Sequence, residues 1–115
     1  MDTAPRASAA NTIPRSVREL QRRLSIRLAD RLVRVRLFGS RARGDAHEDS
    51  DVDVLILVRS LSHAEKVDAI GIGAEVSLET GDTLSLLPMT PEAYEELRRL
   101  EVRLARDIDR EGIDA

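Results

Sequence analysis

The chain reads as a small α+β domain, α/β-like in how its elements mix, with helices packed on a mixed sheet of three to four strands. Three observations predict this. Short segments of strand length, alternating at 34–38 and mostly apolar at 51–58 and 83–89, recur along the chain. Apolar residues spaced by three and four recur before, between and after them, as an amphipathic helix requires. Gly, Pro and Ser mark the junctions.

The elements follow in order. Residues 1–12 are expected to be a flexible tail, leaving 13–115 as one domain. Ile13, Val17, Leu20, Leu24 and Leu28 form one stripe of a first helix, with Pro14 suited to its first turn. Val35 and Leu37 alternate with Arg34 and Arg36, a short strand with one buried face that Gly39 ends. Residues 41–50 are poor in apolar side chains and predict a loop, with one helical turn after Ser40. Asp51 to Val58 is the second strand; its later residues are continuously apolar, as in a central strand buried on both faces.

Ser60 or Ser62 can cap the next helix. Its predicted apolar face is Leu61, Ala64, Val67, Ile70, Ala74 and Leu78, and Gly71 and Gly73 suggest close packing on the sheet. Gly81-Asp82 stops it, and Thr83 to Met89 predicts a third strand. Thr90-Pro91-Glu92 opens a last helix whose stripe is Tyr94, Leu97, Leu100, Leu104 and Ile108, with Gly112 just past its end.

Composition narrows the functions. The core must be aliphatic, since Phe38 and Tyr94 are the two aromatics, and this argues against binding single-stranded nucleic acid by base stacking. Without cysteine there is no disulfide and no thiolate zinc site, and His47 and His63 alone make a histidine metal cluster improbable. No run approaches the length of a membrane span and the first residues lack a signal-peptide core, so a cytoplasmic protein is expected. Charge is uneven: residues 13–44 carry a net +8 and residues 45–115 a net −11. The basic third could meet nucleic acid, but a solvated helix face is the plainer reading; the acidic remainder would repel phosphate backbones and could meet a basic protein.

The most informative stretch is Leu37-Phe38-Gly39-Ser40-Arg41-Ala42-Arg43-Gly44, followed by Asp51-Val52-Asp53. Positions i and i+2 of a strand share a face, so Asp51 and Asp53 project side by side and repel unless a cation lies between them. Such oxygen ligands suit Mg²⁺, which completes its shell with water and substrate phosphates. The Gly-Ser turn offers backbone N–H groups and a hydroxyl, and Arg41 and Arg43 add positive charge. An isolated Asp-x-Asp or Gly-Ser is usually structural; together, at adjacent strand ends, they point to a metal-bound nucleoside triphosphate.

Gly39-Ser40, the Arg-x-Arg-Gly that follows and the spaced aspartates resemble the signature of the polymerase-β-like nucleotidyltransferases, and specifically their minimal nucleotidyltransferases, from about Val17 onward. The ending Ile108-Asp109-Arg110-Glu111-Gly112-Ile113 resembles that of several small proteins of this kind. The resemblance implies transfer of a nucleoside monophosphate, AMP from ATP, to a hydroxyl. Asp51 and Asp53 would bind Mg²⁺, Gly39 and Ser40 would receive the phosphates, and Arg41 and Arg43 could contact phosphate oxygens. Active members carry a third carboxylate on the strand after the connecting helix. Here Ser85 falls near that place, and Asp82, at the strand's start, is the candidate substitute, giving Asp51, Asp53 and Asp82 as the catalytic set.

With no second lobe for a small acceptor, the hydroxyl is expected on another protein or subunit; a homo-oligomer is allowed. Such proteins often pair with a helical HEPN toxin as its antitoxin. One alternative is a nucleotide-binding antitoxin, weak or inactive in catalysis, that masks its partner sterically. A second is a stand-alone small-molecule nucleotidyltransferase.

Overall fold

The central strand decides the architecture. Val52–Val58 (β2) is apolar except for Asp53, and its other six residues are buried, so it must be covered on both faces and paired on both edges. A computed structural model, which describes residues 13–44 and 50–115, shows how this is met. Helix α1 (Arg15–Leu28) runs through a short 3₁₀ turn into β1 (Leu32–Phe38), which pairs antiparallel with β2. A four-residue helix α2 (Ser40–Arg43) follows β1. Helix α3 (His63–Thr80) connects β2 to β3 (Leu84–Met89), which lies parallel to β2. The chain ends in α4 (Pro91–Arg99), α5 (Arg103–Glu111) and β4 (Ile113–Asp114). Strand order is β3-β2-β1-β4, a mixed sheet of four strands. The expected tail and residues 45–49 of the expected loop lie outside the described residues.

Each face of the sheet has its own core. Val52, Val54, Ile56 and Val58 pack with Val35 and Leu37 against Val17, Leu20, Leu24 and Leu28 of α1 and Ala69 of α3. Leu55 and Leu57 face the other way, against Tyr94, Ala105 and Ile108. Alternation along β2 thus assigns α1 and α3 to one layer and α4 and α5 to the other.

Of the stripe predicted for α1, Val17, Leu20, Leu24 and Leu28 are buried, while Ile13 precedes the helix and is partly buried; the helix begins one residue after Pro14, which occupies the N-cap. Ser62 rather than Ser60 caps α3, in a capping box with Glu65. The predicted apolar face of α3 is corrected. Val67, Ile70 and Leu78 are 54%, 51% and 87% exposed, whereas Ala69, Gly73 and Val76 are buried. The reason is closeness: a Cβ on Gly73 would lie 2.5 Å from Leu86 Cδ1, so the helix meets the sheet through its smallest residues. Gly71 has nothing within 4 Å and plays no such part.

The single last helix is also corrected to two. After Leu100 the chain reverses in a Schellman motif, with Glu101 N–H donating to the Arg98 carbonyl (2.9 Å) and Val102 N–H to that of Leu97 (3.0 Å). Glu101 takes φ 56°, the conformation for which this position prefers glycine. The break turns α5 so that Ala105 and Ile108 enter the core and Tyr94 Oη donates to Asp109 (2.9 Å). Leu100 stays exposed. Gly112 caps α5, and the residues beyond it add β4 to the free edge of β1.

Two stability tests follow. Gly71→Ala should stabilise by about 0.8–1 kcal/mol through helix propensity alone, while Gly73→Ala, facing an overpacking cost of ~1–3 kcal/mol, should lower the urea midpoint. The same sign for both would contradict the packing described. Glu101→Gly should stabilise by roughly 1 kcal/mol by relieving the left-handed conformation, and an unchanged midpoint in urea titration would refute the strain.

Candidate active site

The register of β1 on β2 builds the site. Phe38, the last residue of β1, lies opposite Asp53, so the turn that leaves β1 passes over the aspartates. Gly39 follows with φ 79°, a conformation that side-chain-bearing residues rarely adopt. A Cβ there would lie 2.3 Å from Asp53 Oδ2. Glycine is therefore required twice, by conformation and by the carboxylate against it. Ser40 then opens α2, whose Ala42 and Arg43 N–H groups both donate to the Gly39 carbonyl at 3.1 Å. The first N–H groups of any helix have no acceptor within it, and here they start beside the carboxylates.

Asp53 is half-buried and Asp51, just before β2, is exposed. Burial raises the Asp53 carboxyl above its ordinary value, the negative charge of Asp51 adds to this, and Arg43 opposes it. The predicted pair is thus brought close enough for the charge of Asp51 to act on Asp53. A divalent cation fits two carboxylates so placed, since it would offset both the desolvation and the repulsion.

The two arginines are engaged with the protein. Arg41 Nη2 donates to the Ser50 carbonyl at 3.3 Å and lies 3.9 Å from Asp82 Oδ1. Arg43 Nη1 is 3.4 Å from Glu111 Oε1, which links α2 to the end of α5.

The third acidic position resolves into two residues on opposite sides. Ser85 is the Cα partner of Asp53 on the parallel strand β3 and so shares its face, and it is exposed. Asp82 turns instead toward α1, where its Oδ2 accepts from Ser16 Oγ at 2.7 Å. Among the described residues no group of three or more His or acidic side chains is placed to hold a metal, so Asp82 does not join Asp51 and Asp53 in one cluster. Ser16 and Glu111 escaped the sequence reading. Ser16 sits beside the apolar stripe with no local motif, and Glu111 meets Arg43 only through the fold.

Known proteins bear on this geometry. The family model for the nucleotidyltransferase domain matches residues 15–109. A Methanocaldococcus jannaschii protein, provisionally named a protein adenylyltransferase, is 48% identical over 64 residues, which are 55% of this chain. The match covers 65% of that relative, so this chain spans just under two thirds of its length. A structure provisionally described as a minimal nucleotidyltransferase aligns with TM-score 0.53 at 28% identity, over 98% of this chain and 95% of the other. A toxin–antitoxin structure with AMP-PNP aligns with TM-score 0.55 at 19% identity, over 83% of this chain and 68% of the other. A mutant of the MntA–HpeT toxin–antitoxin pair gives TM-score 0.57 at 18% identity, with the same coverage. These last two likenesses show the fold alone. Among the described residues no helix is long and apolar enough to cross a membrane. The family match takes in α1, the Gly39 turn, both aspartates and most of α5, and the chain belongs to the nucleotidyltransferase domain family.

Proposed function

We propose that the protein is a Mg²⁺-dependent nucleotidyltransferase that transfers AMP from ATP to a hydroxyl of a partner protein in the cytoplasm, and that the partner is a helical HEPN-type toxin. The observation that carries this reading is the Gly39 turn packed on Asp53 with Asp51 alongside. The Methanocaldococcus relative's name supports protein adenylylation, and the toxin–antitoxin neighbours support a toxin partner.

In this reading Asp51 and Asp53 hold the metal. Mg²⁺, when bound, supplies charge neutralisation at the phosphates. Gly39 lets the backbone approach the β- and γ-phosphates, and Ser40 donates its hydroxyl and N–H to them. Arg43, near enough to Asp53 to oppose its protonation, is placed to meet phosphate charge. Arg41 stands at the same turn and secures it. The partner's hydroxyl oxygen forms a bond to the α-phosphorus, the bond from that phosphorus to the bridging oxygen breaks, and pyrophosphate leaves. The hydroxyl proton passes to water or to a group of the partner, because Ser85 offers no carboxylate at the position facing Asp53.

One observation favours the second reading, an antitoxin that binds nucleotide and acts by covering its partner: the neutral Ser85, with Asp82 turned toward Ser16. Labelled ATP, Mg²⁺ and the partner separate the two. Label on a partner hydroxyl supports transfer. Suppression of the partner without label, kept after Asp51 and Asp53 are mutated, overturns it.

The site makes two further predictions. Asp51→Asn with Asp53→Asn should weaken Mg²⁺–ATP binding at least tenfold by calorimetry, and equal affinity would remove the metal assignment. Without metal, Asp53→Asn should raise stability at neutral pH. Because the folded carboxyl titrates above its unfolded value, its ionised form costs stability once pH exceeds the folded value. The gain should shrink as pH falls through that value toward the ordinary one, and urea titrations across pH check the sign. A gain that grows on acidification would be inconsistent with the burial of Asp53.

A further inference from the structure

Ser16 is fully buried, one residue before the core residue Val17, and its hydroxyl reaches across the layer to Asp82. A buried hydroxyl needs a partner, and an acidic acceptor makes this bond charge-assisted. With one oxygen of Asp82 held by Ser16, the other faces Arg41 Nη2 at 3.9 Å. The same nitrogen donates to the Ser50 carbonyl at 3.3 Å. Ser50 immediately precedes Asp51, and Val52 N–H donates to the Thr83 carbonyl at 2.8 Å. The start of β2 is therefore tied to residues 82–83 twice, once by backbone and once through Arg41.

We propose that Ser16 and Asp82 are a positioning pair, aiming Arg41 at the Ser50 carbonyl so that Asp51 is held beside Asp53, and that Asp82 is not a metal ligand. The chain of contacts begins in α1, outside the motif, and ends at the residue before Asp51. The guanidinium suits the task, because its charged Nη2 carries two N–H groups and stands between the Ser50 carbonyl and the Asp82 carboxylate. The surroundings of β3 agree: Ser85 in the strand lies on the face of Asp53, while Asp82, two residues before the strand, bonds toward α1. The proposal rests on the reading of Asp51 and Asp53 as metal carboxylates only for its consequence, not for the clamp itself.

Hydrogen exchange on the metal-free protein tests the clamp directly. Ser16→Ala and Asp82→Asn should each speed amide exchange in peptides covering residues 50–53 by about threefold to tenfold, with peptides from α5 unchanged. Arg41→Gln should do the same, and its effect should not add to that of Asp82→Asn, since both cut one path. Titration of Mn²⁺ with a non-hydrolysable ATP analogue tests the consequence. Its Kd should rise severalfold in Ser16→Ala and Asp82→Asn while the number of ions bound stays that of wild type. Exchange at 50–53 as slow as wild type in both variants overturns the clamp. So does loss of one Mn²⁺ in Asp82→Asn with Ser16→Ala unaffected, which would make Asp82 a ligand. If the Asp51 and Asp53 double variant binds Mn²⁺ as wild type does, the metal reading fails, and exchange still decides the clamp.

Discussion

The Asp53 carboxylate occupies the space that a Cβ on residue 39 would need, 2.3 Å from its Oδ2, and the site is arranged around that contact. It exists only because Phe38 is paired with Asp53 in the antiparallel ladder. A slip of one residue would turn Asp53 to the other side of the sheet. The slip is strongly resisted, since it would also exchange Val54, Ile56 and Val58, which face α1 and α3, with Leu55 and Leu57, which face α4 and α5. The apolar core that stabilises the domain thus also holds the site in register.

The uneven charge has a structural explanation that needs no nucleic acid. Helices α1 and α3 lie side by side, the one rich in arginine and the other acidic. Arg23 pairs with Glu79 at 2.5 Å and Arg27 with Asp68 at 2.9 Å, while Arg31, just after α1, meets Glu65. Arg36 turns to Asp114 and to the Ile108 carbonyl, and a Cβ on Gly112 would lie 2.2 Å from its Nε. Pairs this exposed add little stability each. They occupy much of the positive charge that a phosphate backbone would need.

Legibility in the sequence followed how local the cause was. The α1 stripe, the strand expected over 51–58 and the Gly-Ser turn are local patterns, and each stands within a residue of where its spacing places it, the strand beginning at Val52. Hydropathy favours Val67, Ile70 and Leu78 as the face of α3, whereas the close approach of Leu86 to Gly73 buries the side that carries Ala69 and Gly73. Interhelical closeness is a tertiary property, and the larger apolar residues lost to it. The break at Glu101 carries neither Gly nor Pro, so the periodicity ran through it. The aspartate pair was visible because the two residues stand two apart in sequence, Asp53 in β2 and Asp51 just before it. The partners of Asp82 were not, because Ser16 is sixty-six residues away in sequence.

Under the proposed function, Ser85 in place of an acid bears on the rate of transfer more than on whether transfer is possible. A positioned general base contributes ~10²–10⁴ to a rate, so its absence leaves what the rest of a site supplies. In phosphoryl transfer the larger share comes from positioning and from charge stabilisation at the phosphates. The residues to which the proposed function gives those tasks, Gly39, Ser40, Asp51, Asp53 and Arg43, lie at one end of the sheet. An enzyme that modifies each molecule of a stoichiometric partner once does not depend on rapid turnover. The same loss would be severe for an enzyme working on an abundant metabolite. Under the proposed transfer, the neutral residue beside Asp53 leaves the hydroxyl proton to water or to a group that the acceptor itself brings.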